Sequence, residues 1–210
     1  MAPDGPLSDE FFAALAGLGP RAPAVVFANG GDHSYFHDRQ DAAWGSYVLR
    51  EVLPRAARVL GADGGRVAIG GISMGGFGAL DLARLVPRRF CAVGGHSAAL
   101  WRRGADTPSG AFDDAEDFAR HDVMGGARAG ARFGRGPIWL DVGSDDPFRE
   151  TNEELAGILR SRGKSLTFRE WDGGHDHNYW NEHMAAYLRF YAASLASCAG
   201  TSGQRPRLKV

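Results

Sequence analysis

Polar side chains along this sequence have the types and the order that nucleophilic catalysis requires. Ser73 lies in the stretch GISMG (71–75), which fits the pattern G-x-S-x-G; aspartates at 141, 145 and 146 and then histidines at 175 and 177 follow it in two later loops. A serine hydroxyl, a histidine base and a carboxylate that orients the base form a catalytic triad, which cleaves esters through a covalent acyl-enzyme. The spacing therefore predicts a serine hydrolase.

The elements around Ser73 favour a nucleophile over an ordinary glycine-rich turn. The run RVAIGG (66–71) predicts a strand, and SMGGFGALDLARLV (73–86) predicts a helix that follows directly. A serine in such a sharp strand-to-helix turn needs small residues two places before and after it, here Gly71 and Gly75. The Met74 N–H and the positive end of the helix would then face a developing oxyanion. The alternative, a phosphate-binding turn, has little support because neither G-x-x-x-x-G-K-[ST] nor G-x-G-x-x-G is present.

The acid and the base each follow a predicted strand. The run IWLDVG (138–143) precedes the acid loop, which offers Asp141, Asp145 and Asp146, and SLTFREW (165–171) precedes a loop with His175 and His177. Because ligands collect at the carboxyl ends of parallel strands, we expect these loops to meet beside Ser73. Asp141 falls inside the strand pattern, which indicates a structural partner rather than the triad acid.

The order of elements predicts the fold class. Two further apolar runs, AVVFANG (24–30) and FCAVGG (90–95), read as strands, and helical patterns occupy 44–60, 73–86, 148–163 and 179–195. Alternating strands and helices indicate an α/β protein with a mostly parallel sheet flanked by helices. We expect Pro54 to interrupt the helix at 44–60. Residues 1–198 are expected to form a single domain with a cap or insertion at about 100–136, and residues 199–210 a disordered tail.

Composition excludes several other classes of protein. The 210 residues carry a formal net charge of −1, so nothing favours a nucleic-acid or membrane partner. The N-terminus lacks a basic region and an apolar core, which predicts a cytoplasmic protein, with an extracellular location left open if the N-terminus is truncated. Two cysteines, Cys91 and Cys198, do not indicate a disulfide framework or a zinc site. We expect no cofactor.

The three loops resemble those of one esterase branch of the α/β-hydrolase fold, which includes esterase D/S-formylglutathione hydrolase, feruloyl esterases and the antigen 85 mycolyltransferases. GGISMGGFGAL is similar to its nucleophile signature, VGSDDPF to its acid loop and GGHDHNYWNEHMAAYLRFY to its histidine loop and last helix. The stretch VVFANGGDHSYFHDR is also similar to the region just upstream of the nucleophile strand. The resemblance implies Ser73, Asp146 and His175 as the triad.

The chain departs from this branch near its N-terminus, where it looks shortened. Members of the branch usually carry an upstream strand and loop that donate the second oxyanion N–H, whereas SDEFFAALAGLG (8–19) reads as a helix. Gly31, or its neighbour Gly30, is the candidate replacement donor because glycine permits close backbone approach.

Several residues near the predicted strand ends are candidates for binding a substrate: His33, Tyr35, His37, His96, His177 and Trp101. The two histidines at 33 and 37 lack a third ligand at convincing spacing, so no metal site is predicted. Phe112 and Phe118 are candidates for an apolar wall, although such residues more often pack an insertion.

Three functions remain open from the sequence. The first is an esterase that cleaves a small-molecule carboxylic ester, and the second is an acyltransferase that passes the acyl group to an alcohol or a sugar hydroxyl. The third is a catalytically weak relative that only binds a ligand. The oligomeric state is not predicted.

Overall fold

A computed structural model describes residues 7–62 and 64–198 of the chain. Within them, four parallel strands form one sheet in the order β1-β2-β3-β4. The strands are β1 (Ala68–Ile72), β2 (Ala92–His96), β3 (Ile138–Gly143) and β4 (Leu166–Trp171). Each strand pairs in parallel with the next one along the chain, so the carboxyl ends of all four lie at one edge. This is the predicted α/β architecture.

Helices cover both faces of the sheet. The α-helices are α1 (Asp9–Gly17), α2 (Trp44–Ser46), α3 (Leu53–Val59), α4 (Met74–Leu85), α5 (Ala115–His121), α6 (Val123–Arg128), α7 (Arg149–Ser161) and α8 (His177–Ser197). Short 3₁₀ turns occupy Gly19–Arg21 and Gly104–Asp106. The larger core includes residues of α4, α6 and α7, whereas α1 and α8 form a second cluster around Phe11, Met184 and Leu188.

The strand predicted at 24–30 does not form among the described residues. These residues have the apolar pattern of a buried strand but pair with none of the strands in residues 7–62 and 64–198. Val26 and Phe27 remain 46% and 44% exposed. A strand is defined by its ladder partner, and local sequence cannot supply one. The outer edge of β1, which borders the same cavity as residues 24–28, likewise has no strand partner in the described part of the chain.

The helix predicted at 44–60 is continuous, and Pro54 does not break it. A π-helical segment, Tyr47–Val52, joins α2 to α3, and Pro54 occupies the first turn of α3. In a regular α-helix a proline removes one backbone hydrogen bond and its ring clashes with the carbonyl four residues before it. The wider π turn before Pro54 avoids this disruption. The interruption expected at Pro54 therefore does not occur.

Two features connect distant parts of the chain. The segment predicted as a cap or insertion contains α5 and α6, and α6 buries Val123, Met124 and Ala127 in the larger core. Cys91 and Cys198 form a disulfide bond that ties the start of β2 to the end of α8, contrary to the sequence-based expectation. The predicted disordered tail, 199–210, lies outside the described residues.

Candidate active site

Ser73 sits in a strained turn between β1 and α4. Its backbone has φ 54° and ψ −117°, a left-handed conformation that a non-glycine residue rarely adopts. Two hydrogen bonds hold this conformation: the Ser73 N–H donates to the His96 carbonyl at 2.9 Å, and the Ala99 N–H donates to the Ser73 carbonyl at 3.0 Å. The strain is therefore maintained by the end of β2, and it lifts the hydroxyl out of the sheet.

The two glycines that flank the turn are under unequal constraint. A Cβ added at Gly71 would lie 2.8 Å from Gly75 Cα and closer still to the Gly75 carbonyl group. A Cβ added at Gly75 would meet only the Phe36 ring, at an ordinary 3.9 Å. The sequence pattern suggested that both positions must be small, but the structure places a strict steric limit on Gly71 alone.

The three predicted triad residues meet at the carboxyl edge of the sheet. His175 Nε2 lies 2.8 Å from Ser73 Oγ, and His175 Nδ1 lies 2.9 Å from Asp146 Oδ2. With the carboxylate ionised, Nδ1–H donates to Asp146 and Nε2 is left to accept the serine proton. Asp145 is exposed and makes no such contact, so geometry selects Asp146 from the two adjacent aspartates.

Asp146 is buried and remains ionised. Burial by itself would raise the pKa of the Asp146 carboxyl, but hydrogen bonds outweigh this effect and hold the pKa below its usual value. The donors are His175 Nδ1–H, the Phe148 backbone N–H at 2.8 Å and the Ser97 hydroxyl. A carboxylate held in this way fixes one histidine tautomer and stabilises the imidazolium that forms when the serine proton is transferred.

The structure offers the Met74 N–H as a donor to an oxyanion, whereas the N–H of Gly31, the second predicted donor, is already hydrogen-bonded to another group. The Met74 N–H begins α4 and has no partner among the described residues, as expected for the first turn of a helix. The Gly31 N–H donates to Asn29 Oδ1 at 2.9 Å, because the loop closes on itself as an Asx turn. The expectation that Gly31 supplies the second donor is therefore not supported, and its neighbour Gly30 packs against the Phe36 ring.

Three of the predicted substrate-binding residues do not face the site. His37 is fully buried, with Nε2 2.9 Å from Asp117 Oδ2, and Tyr35 is buried in the core against Phe77. His33 is exposed and does not border the cavity beside Ser73. The sequence predicted these residues at a strand end, but no strand forms at 24–30 among the described residues, and Tyr35 and His37 pack in the core.

The other three candidates lie closer to the triad. His177 is exposed at the start of α8 and His96 is buried at the end of β2, and both border the cavity beside Ser73. Trp101 packs edge-on against Phe148, whose ring lies 5.3 Å from that of His175. His96 and His177 thus line the cavity, whereas Trp101 is connected to His175 only through the Phe148 ring. Phe112 instead stacks on His37 within the core, and Phe118 packs against Phe112.

Asp141 lies at the centre of a buried hydrogen-bond cluster. The sequence predicted a structural partner for Asp141 but not the cluster. One carboxylate oxygen accepts from Trp139 Nε1 and lies 2.6 Å from His96 Nδ1. The other accepts from the hydroxyls of Tyr179 and Tyr187 on α8. The cluster anchors the first turns of α8, which directly follow the His175 loop. Apart from Trp139, its members lie 38 or more positions from Asp141 in the sequence, so no local pattern predicts the cluster.

An apolar cavity of about 580 Å³ opens beside Ser73. It extends along the unpaired edge of β1, between that strand, residues 23–28 and helices α3 and α8. No group of three or more histidine, cysteine or acidic residues suited to a metal occurs in residues 7–62 and 64–198. In the same part of the chain, no helix is long and apolar enough to cross a membrane.

A parallel sheet, a strained serine at the turn after β1, and an acid and a histidine after later strands together define the α/β-hydrolase class. A family model described as "Putative esterase" matches residues 10–191, and the chain belongs to this esterase family. The match covers the sheet and all three residues of the triad.

Individual relatives agree with the family. The chain is 26% identical over 195 residues to an acetyl esterase of Caldicellulosiruptor saccharolyticus, covering 82% of this chain and 73% of the relative. It is 28% identical over 176 residues to an S-formylglutathione hydrolase of Paracoccus denitrificans, covering 77% of this chain and 62% of the relative.

Solved structures show the same fold. The fluorophosphonate-binding serine hydrolase F of Staphylococcus aureus superposes with a TM-score of 0.69 at 18% identity, over 87% of this chain and 77% of that one. MPT51 of Mycobacterium tuberculosis has a TM-score of 0.68 at 18% identity, over 89% and 84%. A ferulic acid esterase has a TM-score of 0.62 at 24% identity, over 76% and 64%.

These comparisons confirm the predicted fold class and the predicted esterase family. The chain spans less than two thirds of the S-formylglutathione hydrolase and of the ferulic acid esterase.

Proposed function

We propose that this chain is a serine esterase that hydrolyses small carboxylic esters through an acyl-enzyme on Ser73. The observation that carries the proposal is the unbroken hydrogen-bond chain from Ser73 Oγ through His175 to Asp146, with distances of 2.8 and 2.9 Å. Membership of the esterase family and the names of the relatives, an acetyl esterase and an S-formylglutathione hydrolase, agree with this chemistry.

The first half-reaction acylates the serine. Ser73 Oγ attacks the ester carbonyl carbon while its proton passes to His175 Nε2, and negative charge collects on the carbonyl oxygen. The tetrahedral intermediate then collapses as the bond to the leaving oxygen breaks, and the proton on His175 moves to the departing alcohol. Asp146 stabilises the imidazolium throughout and keeps its own charge.

The second half-reaction releases the acid. A water molecule gives its proton to His175 Nε2 as its oxygen attacks the acyl carbon, and the bond to Ser73 Oγ breaks when the proton returns to the serine. Free serine and a carboxylic acid result. No redox change or additional reactant is needed.

We propose further that turnover by this chain alone is slow. The Met74 N–H is the one backbone donor that we assign to the oxyanion, and loss of a single donor from an oxyanion hole typically costs about 10²–10³ in kcat. Ser73 would still react with an activated phosphonate, since the triad that activates the hydroxyl is complete. A kcat typical of efficient esterases would contradict this view.

Labelling with a fluorophosphonate probe, followed by mass spectrometry of the adduct, tests the proposed nucleophile. We expect the adduct on Ser73, and we expect Ser73→Ala to abolish both labelling and p-nitrophenyl acetate turnover. Ser161→Ala is a matched control, because Ser161 Oγ only donates to a carbonyl at the end of α7. Retained turnover in a folded Ser73→Ala preparation would reject the proposal.

The disulfide favours an oxidising compartment over the cytoplasm. Disulfides persist mainly in secreted, periplasmic or extracellular proteins and are rare in the cytosol. Cell fractionation with maleimide labelling before and after reduction tests the location. Unreactive Cys91 and Cys198 that become reactive on reduction, in protein from an extracytoplasmic fraction, would support it, and free thiols in a cytosolic fraction would contradict it.

A further inference from the structure

The turn that follows β2 holds the nucleophile by its backbone. The His96 carbonyl accepts from the Ser73 N–H at 2.9 Å, and the Ala99 N–H donates to the Ser73 carbonyl at 3.0 Å. The turn is itself fixed to the sheet, because the Ser97 N–H donates to the Asp141 carbonyl at 2.8 Å. The end of β2 therefore sets where Ser73 lies, and Ser97 is in the middle of this contact.

Ser97 has a strained backbone and a fully buried side chain. Its φ of 47° lies in the left-handed region, as does the φ of 54° at Ser73. Its exposed fraction is 0%. Glycine adopts this conformation without strain, and strained residues cluster at functional sites, where the surrounding contacts hold them in place. A serine at this position therefore indicates that the hydroxyl itself has a role.

The Ser97 hydroxyl connects an indole to the acid of the triad. Trp180 Nε1–H donates to Ser97 Oγ at 3.1 Å, and the hydroxyl also hydrogen-bonds the Asp146 carboxylate. An indole N–H can only donate and an ionised carboxylate can only accept, so the hydroxyl proton must point to Asp146. The donors therefore run in one direction, from Trp180 through Ser97 to Asp146.

Trp180 also contacts the base of the triad. It lies in the first turn of α8, and its ring packs edge-on against that of His175, with 5.1 Å between the ring centroids. The same indole thus touches His175 through its ring and reaches Asp146 through the Ser97 hydroxyl. The relative position of acid and base is held by these contacts as well as by their own hydrogen bond.

Among the donors to Asp146, Ser97 has a distinct place. The Asp146 side chain has no exposed surface, and a buried carboxylate must take its hydrogen bonds from protein groups. The Phe148 N–H belongs to the same loop and moves with Asp146, whereas His175 is the group that the carboxylate has to orient. Of the described donors, Ser97 is the one that connects the carboxylate to the end of β2.

We propose that Ser97 is a positioning residue for hydrolysis, whose hydroxyl holds the Asp146 carboxylate in the geometry that serves His175. Trp180 orients this hydroxyl. The proposal rests on the proposed function, because its consequence is the reactivity of Ser73. Without the hydroxyl, the carboxylate turns more freely away from His175, which lowers reactivity. The negative charge of the Asp146–His175 pair also loses a stabilising partner, so the pair binds its first proton at a higher pH.

The first experiment measures the rate of fluorophosphonate labelling of Ser73 between pH 5 and 9 in the parent chain, Ser97→Ala and Ser97→Gly. Both variants lack the hydroxyl, and glycine also relieves the backbone strain, so the comparison separates side chain from backbone. We expect both to label about tenfold more slowly on the high-pH plateau. Because the unprotonated base is the reactive form, the acid limb of both profiles should also move to a pH about 0.5 higher. If Ser97→Ala does not fold, Ser97→Gly carries the same test.

A double-mutant cycle tests the part of Trp180. Trp180→Phe keeps an aromatic ring beside His175 but removes the N–H that orients the Ser97 hydroxyl. Alone it should slow labelling about threefold. Added to Ser97→Ala it should change the rate by less than about twofold, since the N–H then has no hydroxyl to orient. Two independent effects would multiply instead.

A second measurement does not depend on hydrolysis. In Ser73→Ala, the pH at which His175 becomes protonated is read by NMR from its ring Cε1–H signal, assigned by its loss in His175→Gln. Adding Ser97→Ala should raise this midpoint by about 0.5. Ser194→Ala is the matched control, because Ser194 is another buried serine but lies beside the disulfide bond, and it should leave the midpoint unchanged.

Three results would overturn the proposal. The His175 midpoint can stay the same without the Ser97 hydroxyl. The labelling rate can fall while its acid limb stays in place, which would make the role of Ser97 purely structural. Ser97→Gly can label at the parent rate, which would assign the loss in Ser97→Ala to the backbone. A parent chain that is not labelled at Ser73 would instead refute the proposed function, and the His175 titration would still decide the role of Ser97.

Discussion

The steric difference between Gly71 and Gly75 predicts opposite outcomes for two matched alanine substitutions. In Gly71→Ala the new Cβ would stand 2.8 Å from Gly75 Cα and closer to its carbonyl, whereas carbon atoms pack at about 3.5–4.0 Å. To relieve this steric overlap, the turn around Ser73 must open by on the order of 1 Å. A displacement of a catalytic group by about 1 Å can lower the reaction rate about 10²-fold. Ser73 Oγ would then move away from His175 Nε2, now at 2.8 Å.

Gly75→Ala should behave in the opposite way. Its Cβ meets only the Phe36 ring at 3.9 Å, and alanine is favoured over glycine in a helix by about 1 kcal/mol. We expect this variant to keep its reactivity and to melt slightly higher, while Gly71→Ala also loses about 1–3 kcal/mol through overpacking.

The assay compares the rate of fluorophosphonate labelling and the thermal midpoint for both variants and the parent chain. We expect labelling of Gly71→Ala to fall about 10²-fold. The reasoning is refuted if Gly71→Ala reacts at the parent rate, or if Gly75→Ala loses as much reactivity as Gly71→Ala does.

Three further predictions concern the acid, the buried cluster and pH. Asp146→Asn should lower kcat by about 10⁴ because the histidine tautomer is no longer held, and Asp145→Asn should have little effect; equal losses in ester turnover would move the assignment. Asp141→Asn should lower the free energy of unfolding by about 1–3 kcal/mol in urea denaturation, since buried donors lose an acceptor; an unchanged midpoint would contradict this. Burial lowers the pKa of His37 below its ordinary 6.5, so the unfolded chain takes up a proton first and stability should decline as pH falls through 6.5. Thermal midpoints between pH 5 and 8 should show a shallower decline for His37→Gln, whereas the exposed His33→Gln should match the parent chain.

The sequence alone determined the nucleophile turn and the order of the site-bearing loops. These features are local: a G-x-S-x-G stretch between a strand pattern and a helix pattern constrains only its own backbone. The loops with Asp146 and His175 each follow a strand pattern, and parallel strands bring their carboxyl ends to one edge whatever their detailed packing. The relative positions of the three residues followed from these two facts.

Only the tertiary structure decided which segments and side chains have partners. Residues 24–30 have the composition of a strand, yet no partner strand lies beside them among the described residues. His37 carries no local sign of burial, and its contact with Asp117 spans 80 positions in the sequence. The disulfide spans 107 positions. Each of these features depends on chain segments that meet only after folding. The type of a residue indicates which kind of partner it needs, but not which residue elsewhere in the chain will contact it.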